Sequence, residues 1–415
     1  MRTALADPQP SPSYTRRDRG SRPTLASMSD NTVENTSSNT TPDSPGHPYR
    51  FAVVGLGQIA QQAFLPGLAQ LPEAQLDAVV TSDPNKAERY HVPGYSYDRY
   101  QELLDSGDID AVYVATPVDR HREFTIPALH AGIPVLCEKP MAPSVDDCQA
   151  MLDAADKTGT TLMLAYRMHT DPFMTDLVEL VRSGKLGEAR YFTSQFSHTI
   201  NPENHRANHG FWGGPVPDLG VYALNMARNL YEEEPTTVYA IGGHHEGTGL
   251  DTTPTVSVSL GIDSGRTAQF TTSYSTSSAE GFTLAASKGT VVSPSAYMWG
   301  EGSDLHATVS IADEEGSGTD TTEEWHYNAK DQFAGETRYF LRCVNENKSP
   351  EPNGEEGLLD IRVCEAVKES LETGRPVSLE PRTRERRISP DEAQKIPAPS
   401  KPGEDDIAVQ ATEEL

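Results

Sequence analysis

The stretch Phe51-Ala52-Val53-Val54-Gly55-Leu56-Gly57-Gln58-Ile59-Ala60 decides the fold. Its apolar opening reads as a buried strand, and helical spacing takes over across 61–71. G-x-G-x-x-A between a strand and a helix is the setting a dinucleotide fingerprint requires. Gly55 permits the tight turn, Gly57 lets backbone approach a pyrophosphate, and Ala60 allows close helix–strand packing. Gln58 and Ile59 open a helix whose N-terminal amides and dipole favour phosphate.

Outward from this point the chain alternates strand and helix. A strand over 76–80 ends at Thr81-Ser82, with Lys86 and Arg89 close behind. An NAD site places Asp or Glu near here for the ribose 2′-hydroxyl. Thr81, Ser82 and Lys86 suit a 2′-phosphate instead, so the expectation is NADP over NAD; Asp83 is the acidic alternative if the strand ends later. A strand over 110–115 stops at Thr116-Pro117, and a helix covers 120–131 with His121 at its start, facing the cofactor or merely opening the helix. The run Val135-Leu136-Cys137 then meets Glu138-Lys139-Pro140. Ligands of open α/β sheets lie beyond the carboxyl ends of the strands, so Lys139 points into the crevice, and Pro140 could hold a cis bond. A helix over 144–157 and a strand over 161–166 complete a doubly wound parallel sheet.

Beyond Asp171 the rhythm breaks. A helix over 172–182 precedes strands near 191–198, 237–242, 255–261, 268–274 and 281–286, rich in Thr, Ser, Val and Tyr. Such runs predict a large open, mostly antiparallel sheet with one exposed face. Helices over 332–345 and 355–372 fold back across both halves. The expected plan is a disordered tail (1–48), a dinucleotide-binding Rossmann domain (49–170), an α+β domain for substrate and oligomerisation (171–378) and an arm or loose tail (379–415). Asp218 and Tyr222, four apart at the head of a helix running to about Leu230, share one face. They could address a polyol together, or be an N-cap and a packed ring.

Several classes are excluded. A net charge of −27 over 415 residues offers no basic surface for nucleic acid; it fits a salt-rich cytoplasm or an ordinary acidic enzyme. Thr15-Arg16-Arg17 is followed by none of the roughly 7–15-residue apolar stretch an export signal needs. No run approaches the ~18 apolar residues of a membrane span, so the expectation is a cytoplasmic protein, with Met28 as a possible alternative start. Cys137, Cys148, Cys343 and Cys364 show neither zinc nor C-x-x-C spacing. His205 and His209 are i, i+4 and His244-His245 adjacent, but without the Glu of H-E-x-x-H, so no metal is expected; His198 or His205 could line a sugar pocket.

The fingerprint, Cys-Glu-Lys-Pro-Met-Ala (137–142), Ala-Tyr-Arg-Met-His-Thr-Asp-Pro (165–172) and Asp-Leu-Gly-Val-Tyr-Ala-Leu-Asn (218–225) together resemble the Gfo/Idh/MocA oxidoreductases, over roughly 50–378. The resemblance implies NADP-dependent hydride transfer at C1 of an aldose, and a homodimer or homotetramer built through the second sheet. By it, Lys139 orients a sugar hydroxyl, Tyr222 is the general base and Asp218 holds a second hydroxyl. A phenol, with a pKa near about 10, needs an adjacent cation for that task. Glu138, Lys139 and Arg167 join Thr116, Pro117 and His121 as candidate cofactor contacts. Two alternatives remain: an NAD-dependent glycosidase of the same superfamily, and a non-catalytic nucleotide sensor.

Overall fold

The computed structural model describes residues 46–83, 85–313, 320–384, 386–403 and 407. All but the last three residues of the expected disordered tail, and the possible start at Met28, lie outside the described residues.

In the N-terminal half, β1 (Tyr49–Val54), β2 (Ala74–Val80), β3 (Gly94–Tyr95), β4 (Ala111–Val114), β5 (Val135–Glu138) and β6 (Leu162–Ala165) form one sheet in the order β3-β2-β1-β4-β5-β6. Every neighbouring pair is parallel. The strand order reverses between β1 and β4, and this is the switch point where such sheets bind ligands. β4, β5 and β6 are buried at every position, which is why they read as apolar runs rather than alternating ones. The helices of this half are α1 (Leu65–Leu68), α2 (Asn85–Glu88), α3 (Tyr100–Ser106), α4 (His121–His130) and α5 (Val145–Thr158). Ser144 caps α5, its hydroxyl accepting from Asp147 N at 3.1 Å.

The fingerprint helix is shorter than its spacing predicts. Ala60–Phe64 is a wide π turn, and α1 ends at Leu68 instead of reaching Leu71. Pro66 has no N–H to continue the ladder, and Leu65 N turns to Ala60 O instead.

The second half contributes α6 (Pro172–Arg182), β7 (Ala189–Ser197), α7 (Val221–Tyr231), β8 (Thr237–Gly243), β9 (Thr255–Gly261), β10 (Thr267–Ser273), β11 (Ala279–Ala286), β12 (Gly289–Ser295), β13 (Leu305–Ile311), β14 (Thr321–Tyr327), α8 (Gln332–Asn345), α9 (Gly354–Thr373) and β15 (Val377–Ser378). The sheet order is β14-β13-β12-β11-β7-β10-β9-β8-β15, with β7 and β10 parallel and the other pairs antiparallel. Strands β12 to β14 were not expected from the sequence. Pro294 sits where the β12–β13 register slips, and β14 is a polar, mostly exposed edge strand.

Helices α8 and α9 tie the halves together. Phe340 of α8 packs 6.2 Å from Phe51 of β1, ring centre to ring centre. On α9, Ile361 enters the core of the first sheet while Val363, Cys364 and Val367 enter that of the second. Beyond β15 the described part of the chain stays packed on the molecule: Arg384, Arg387, Ile388 and Ile396 are buried.

Candidate active site

The carboxyl end of β5 delivers Glu138 and Lys139, and the Lys139–Pro140 bond is cis. The Glu138 carboxylate accepts the Tyr113 hydroxyl at 2.6 Å and the Lys139 amide at 3.1 Å, fixing the backbone from which the lysine projects. Burial pushes the Glu138 carboxyl above its ordinary value, against the pull of Lys139. The Lys139 ammonium reaches across to the second half, 2.8 Å from Asp218 O and 3.1 Å from its Oδ1. It also lies 4.8 Å from the centre of the Tyr222 ring. Burial opposes the lysine charge, but Tyr222, Asp218 and Glu138 outweigh it and hold its pKa above the usual lysine value.

Asp218 does not cap a helix. It sits in a π turn, Val216–Gly220, that runs directly into α7, so its carboxylate is free to face the crevice. Oδ2 accepts the Tyr274 hydroxyl at 2.8 Å and stands 3.6 Å from Arg206 Nε. Burial would raise its pKa, yet Arg206 and Lys139 hold the carboxyl well below the usual range. One turn on, the Tyr222 oxygen accepts from Arg167 Nε at 3.0 Å, and the guanidinium carbon lies 4.7 Å from the ring centre. Arg167 is itself held by Gln332 and the Tyr297 carbonyl. Its guanidinium faces the candidate base Tyr222. A guanidinium thus donates to the phenol oxygen while an ammonium lies beside its ring.

Gly55 adopts φ +92°, and a Cβ there would lie 2.6 Å from Ala115 O; only glycine lets this turn pass the end of β4. At that strand end the buried Thr116 hydroxyl has no partner among the described residues, a donor left over beside Pro117 at the switch point. Gly57, Gln58 and Ile59 precede the π turn, where helix amides suit a pyrophosphate. The residues present fit a dinucleotide. Thr81 is buried just past β2, Ser82 is exposed beside it, and Lys86 stands on α2. His121 is buried at the head of α4, with Nε2 2.8 Å from Thr116 O and Nδ1 3.0 Å from Pro140 O. That geometry ties the loops after β4 and β5 together, so His121 supports the crevice from behind.

Sequence spacing missed Arg206, Tyr274, Gln332 and Tyr113. The first lay inside the segment searched for histidine pairs, but nothing local marks it as a partner of Asp218. His198 lies 5.7 Å from Tyr274 between ring centres, at the edge of this cluster; the His205 side chain is outside the described residues.

Two family profiles match the chain: an oxidoreductase family with an NAD-binding Rossmann fold over 49–166, and the C-terminal alpha/beta domain of the same family over 178–379. The chain belongs to the Gfo/Idh/MocA oxidoreductase family. Among curated Gfo/Idh/MocA relatives, D-xylose 1-dehydrogenase (NADP(+)) 2 of Haloferax volcanii is 29% identical, covering 80% of this chain and 99% of the relative. The D-xylose 1-dehydrogenase [NADP(+)] of Haloarcula marismortui is 27% identical over 80% of this chain and 94% of its own. Among solved structures, aldose–aldose oxidoreductase from Caulobacter crescentus superposes with a TM-score of 0.72 at 32% identity, covering 80% of this chain and all of that one.

Behind the Gfo/Idh/MocA site, His169, Glu351 and Glu356 are buried with their ligand atoms within 4.8 Å of one another. The cluster is already filled by cations: Arg384 pairs with Glu351 and Glu356, and Arg228 with Glu356. A metal ion would meet two guanidinium charges there.

Proposed function

We propose that the crevice between the two sheets is the active site of an NADP-dependent sugar oxidoreductase acting at C1 of an aldose. One observation carries this reading: Lys139, Asp218, Tyr222 and Arg167 converge beyond the carboxyl end of β5. The nicotinamide, when bound, accepts the hydride that C1 gives up. Lys139 donates to the sugar O1 and stabilises the charge that develops as its proton leaves. The Tyr222 oxygen, poised by Arg167, takes that proton, and the product is the lactone. Asp218, kept ionised by Lys139 and Arg206, accepts from a neighbouring hydroxyl and fixes the ring. Thr81, Ser82 and Lys86 receive the 2′-phosphate.

The relatives' names support the cofactor and substrate class, and the acidic composition supports a cytoplasmic setting. Among the described residues no helix is long and apolar enough to cross a membrane. Association through the second sheet is supported by its exposed Tyr191, Ile241 and Val292.

The test is to denature purified protein, identify any nucleotide released, and screen aldoses with NADP+ and NAD+. Reduction of NADP+ by one aldose makes the protein an aldose 1-dehydrogenase. Retained NADP, with turnover only when sugar donor and acceptor are both present, makes it an aldose–aldose oxidoreductase. Sugar hydrolysis without net nicotinamide absorbance change would point to a glycosidase and end this reading.

A further inference from the structure

Two histidines that the proposed reaction does not use meet on the outer face of the second sheet. Along β13 and the end of β14, Leu305, Ala307, Val309, Trp325 and Tyr327 pack into or against the core. Side chains alternate across a strand, so His306, Thr308, Glu324 and His326 point away from that core. In the register of this antiparallel pair His306 stands directly opposite His326, and Thr308 opposite Glu324. Nδ1 of His306 lies 2.7 Å from Nδ1 of His326. The two rings meet edge to face, at 75° and 4.9 Å between centres. The contact joins positions 20 apart in the chain, which is why local histidine spacing does not show it.

The backbone under the pair is fixed from the other side. β12 slips register between Val292 and Ser295, opposite His306, and a slip of this kind re-aims the side chains beside it. There Ser295 Oγ accepts the His306 amide at 3.1 Å, and Ser293 Oγ donates to the His306 carbonyl at 2.5 Å. One cross-strand pair further along the same face, the Thr308 hydroxyl holds the Glu324 carboxylate at 3.0 Å. That carboxylate therefore adds negative charge beside the imidazoles without being a ligand. In the neutral pair one Nδ1 donates its proton to the lone pair of the other. A metal ion can take the place of that proton. With metal–nitrogen bonds of about 2.0 Å, ligands at right angles stand about 2.8 Å apart and tetrahedral ones about 3.3 Å. The observed 2.7 Å matches the right-angled arrangement of a tetragonal site.

We propose that His306 and His326 form a clip for a divalent transition metal of tetragonal preference, Cu2+ or Ni2+, with water in its remaining positions. The ion binds both Nδ1 atoms, and the proton they share leaves to solvent. The site is independent of the oxidoreductase reading. The full chain, stripped with EDTA, is titrated with CuCl2, NiCl2, ZnCl2 and MgCl2 by calorimetry, and its copper form is examined by electron paramagnetic resonance. One ion per chain is expected, tightest for Cu2+, then Ni2+, then Zn2+, with no uptake of Mg2+. The copper spectrum should show coupling to two equatorial nitrogens. His326 is exposed, so His326→Gln should keep the unfolding midpoint of the metal-free chain while weakening Cu2+ and Ni2+ at least about tenfold. A variant carrying both His244→Gln and His245→Gln, at an exposed pair elsewhere on the sheet, should bind as the parent does. Equal affinity in parent and His326→Gln overturns the proposal and leaves a cross-strand hydrogen bond. Loss of binding only in the His244→Gln, His245→Gln variant also overturns it, as does a copper spectrum with a single nitrogen.

Discussion

Helix α7 serves two charge clusters that behave in opposite ways. At its head, Lys139, Arg167 and Arg206 surround Asp218 and Tyr222, and cations outnumber ionised carboxylates. Two turns later Arg228 enters a sealed cluster with Glu234, Glu356 and Asp360, joined by Glu351, Arg384, Arg387 and His169. There the carboxylates outnumber the guanidiniums. Tyr166 and Arg167, neighbours in sequence, send one side chain to each: the Tyr166 hydroxyl donates to Asp360 at 2.7 Å, and Arg167 donates to Tyr222 at 3.0 Å. An open cluster with surplus positive charge can stabilise negative charge that develops in a reaction. A closed, internally matched one can only hold the fold.

The largest expected effect breaks the first cluster. Tyr222→Phe keeps the ring between Lys139 and Arg167 but removes the proton acceptor, so kcat should fall about 10²–10⁴-fold. NADPH affinity and unfolding midpoint should stay unchanged. Steady-state kinetics beside calorimetry checks this, and a variant with full turnover would remove Tyr222 from the chemistry.

Arg228→Met is the matching cut in the second cluster. Arg228 is 1% exposed, and its loss leaves Glu234, Glu356 and Asp360 buried without their shared cation. The expected cost is about 3–5 kcal/mol in denaturant unfolding, with kcat per folded molecule little changed. An unaltered midpoint would mean that the cluster takes up water or protons freely and is not sealed.

The excess of carboxylates gives the second cluster a pH signature. Burial opposes the His169 charge, but Glu351, 3.3 Å from Nδ1 though poorly aligned for a hydrogen bond, and Glu356 outweigh it and raise the pKa. A raised histidine contributes stability that is complete below its unfolded value of about 6.5 and is lost as pH rises through the higher folded value. Burial, reinforced by Glu356, pushes Asp360 up to about 6; its contribution is complete below about 3.9 and already gone above pH 6. Stability should therefore decline as pH rises above about 6.5, and His169→Gln should flatten that decline. An equal slope in the variant would assign the decline to other groups.

How much of this was legible follows from sequence distance. The fingerprint, Glu138-Lys139 and Asp218-x-x-x-Tyr222 are local patterns whose spacing alone places them on a turn, a strand end and one helix face. The parallel strands β4, β5 and β6 were legible because burial on both faces makes them continuously apolar, whereas the two-residue β3 was not expected. What joins these pieces was not legible. Asp218 meets Tyr274 across 56 positions and Lys139 across 79, and no period or composition records such a meeting. The arm was equally opaque: 379–403 is polar and proline-rich like a loose segment, and only burial of Arg384, Arg387 and Ile388 distinguishes it from one. β14 failed for a different reason: four of its residues, Thr321–Glu324, are polar and exposed, and only Trp325 and Tyr327 at its end turn a partly buried face inward.

The smallest expected effect separates the two clusters most finely. Tyr274 is buried, and its hydroxyl donates to Asp218 Oδ2 at 2.8 Å, so Tyr274→Phe removes one hydrogen bond and no volume from the core. Asp218 keeps Lys139 and Arg206, and the lost interaction should be worth about 1–2 kcal/mol. If Asp218 is a working carboxylate that positions sugar, the loss appears in kcat/KM, about tenfold, while the unfolding midpoint holds, because the freed oxygen is open to solvent or substrate. If Asp218 belongs with the closed cluster in kind, the same substitution lowers stability and leaves kcat/KM alone. Kinetics and denaturant unfolding on this one variant therefore decide whether the surplus charge at the head of α7 is there for the reaction or for the fold.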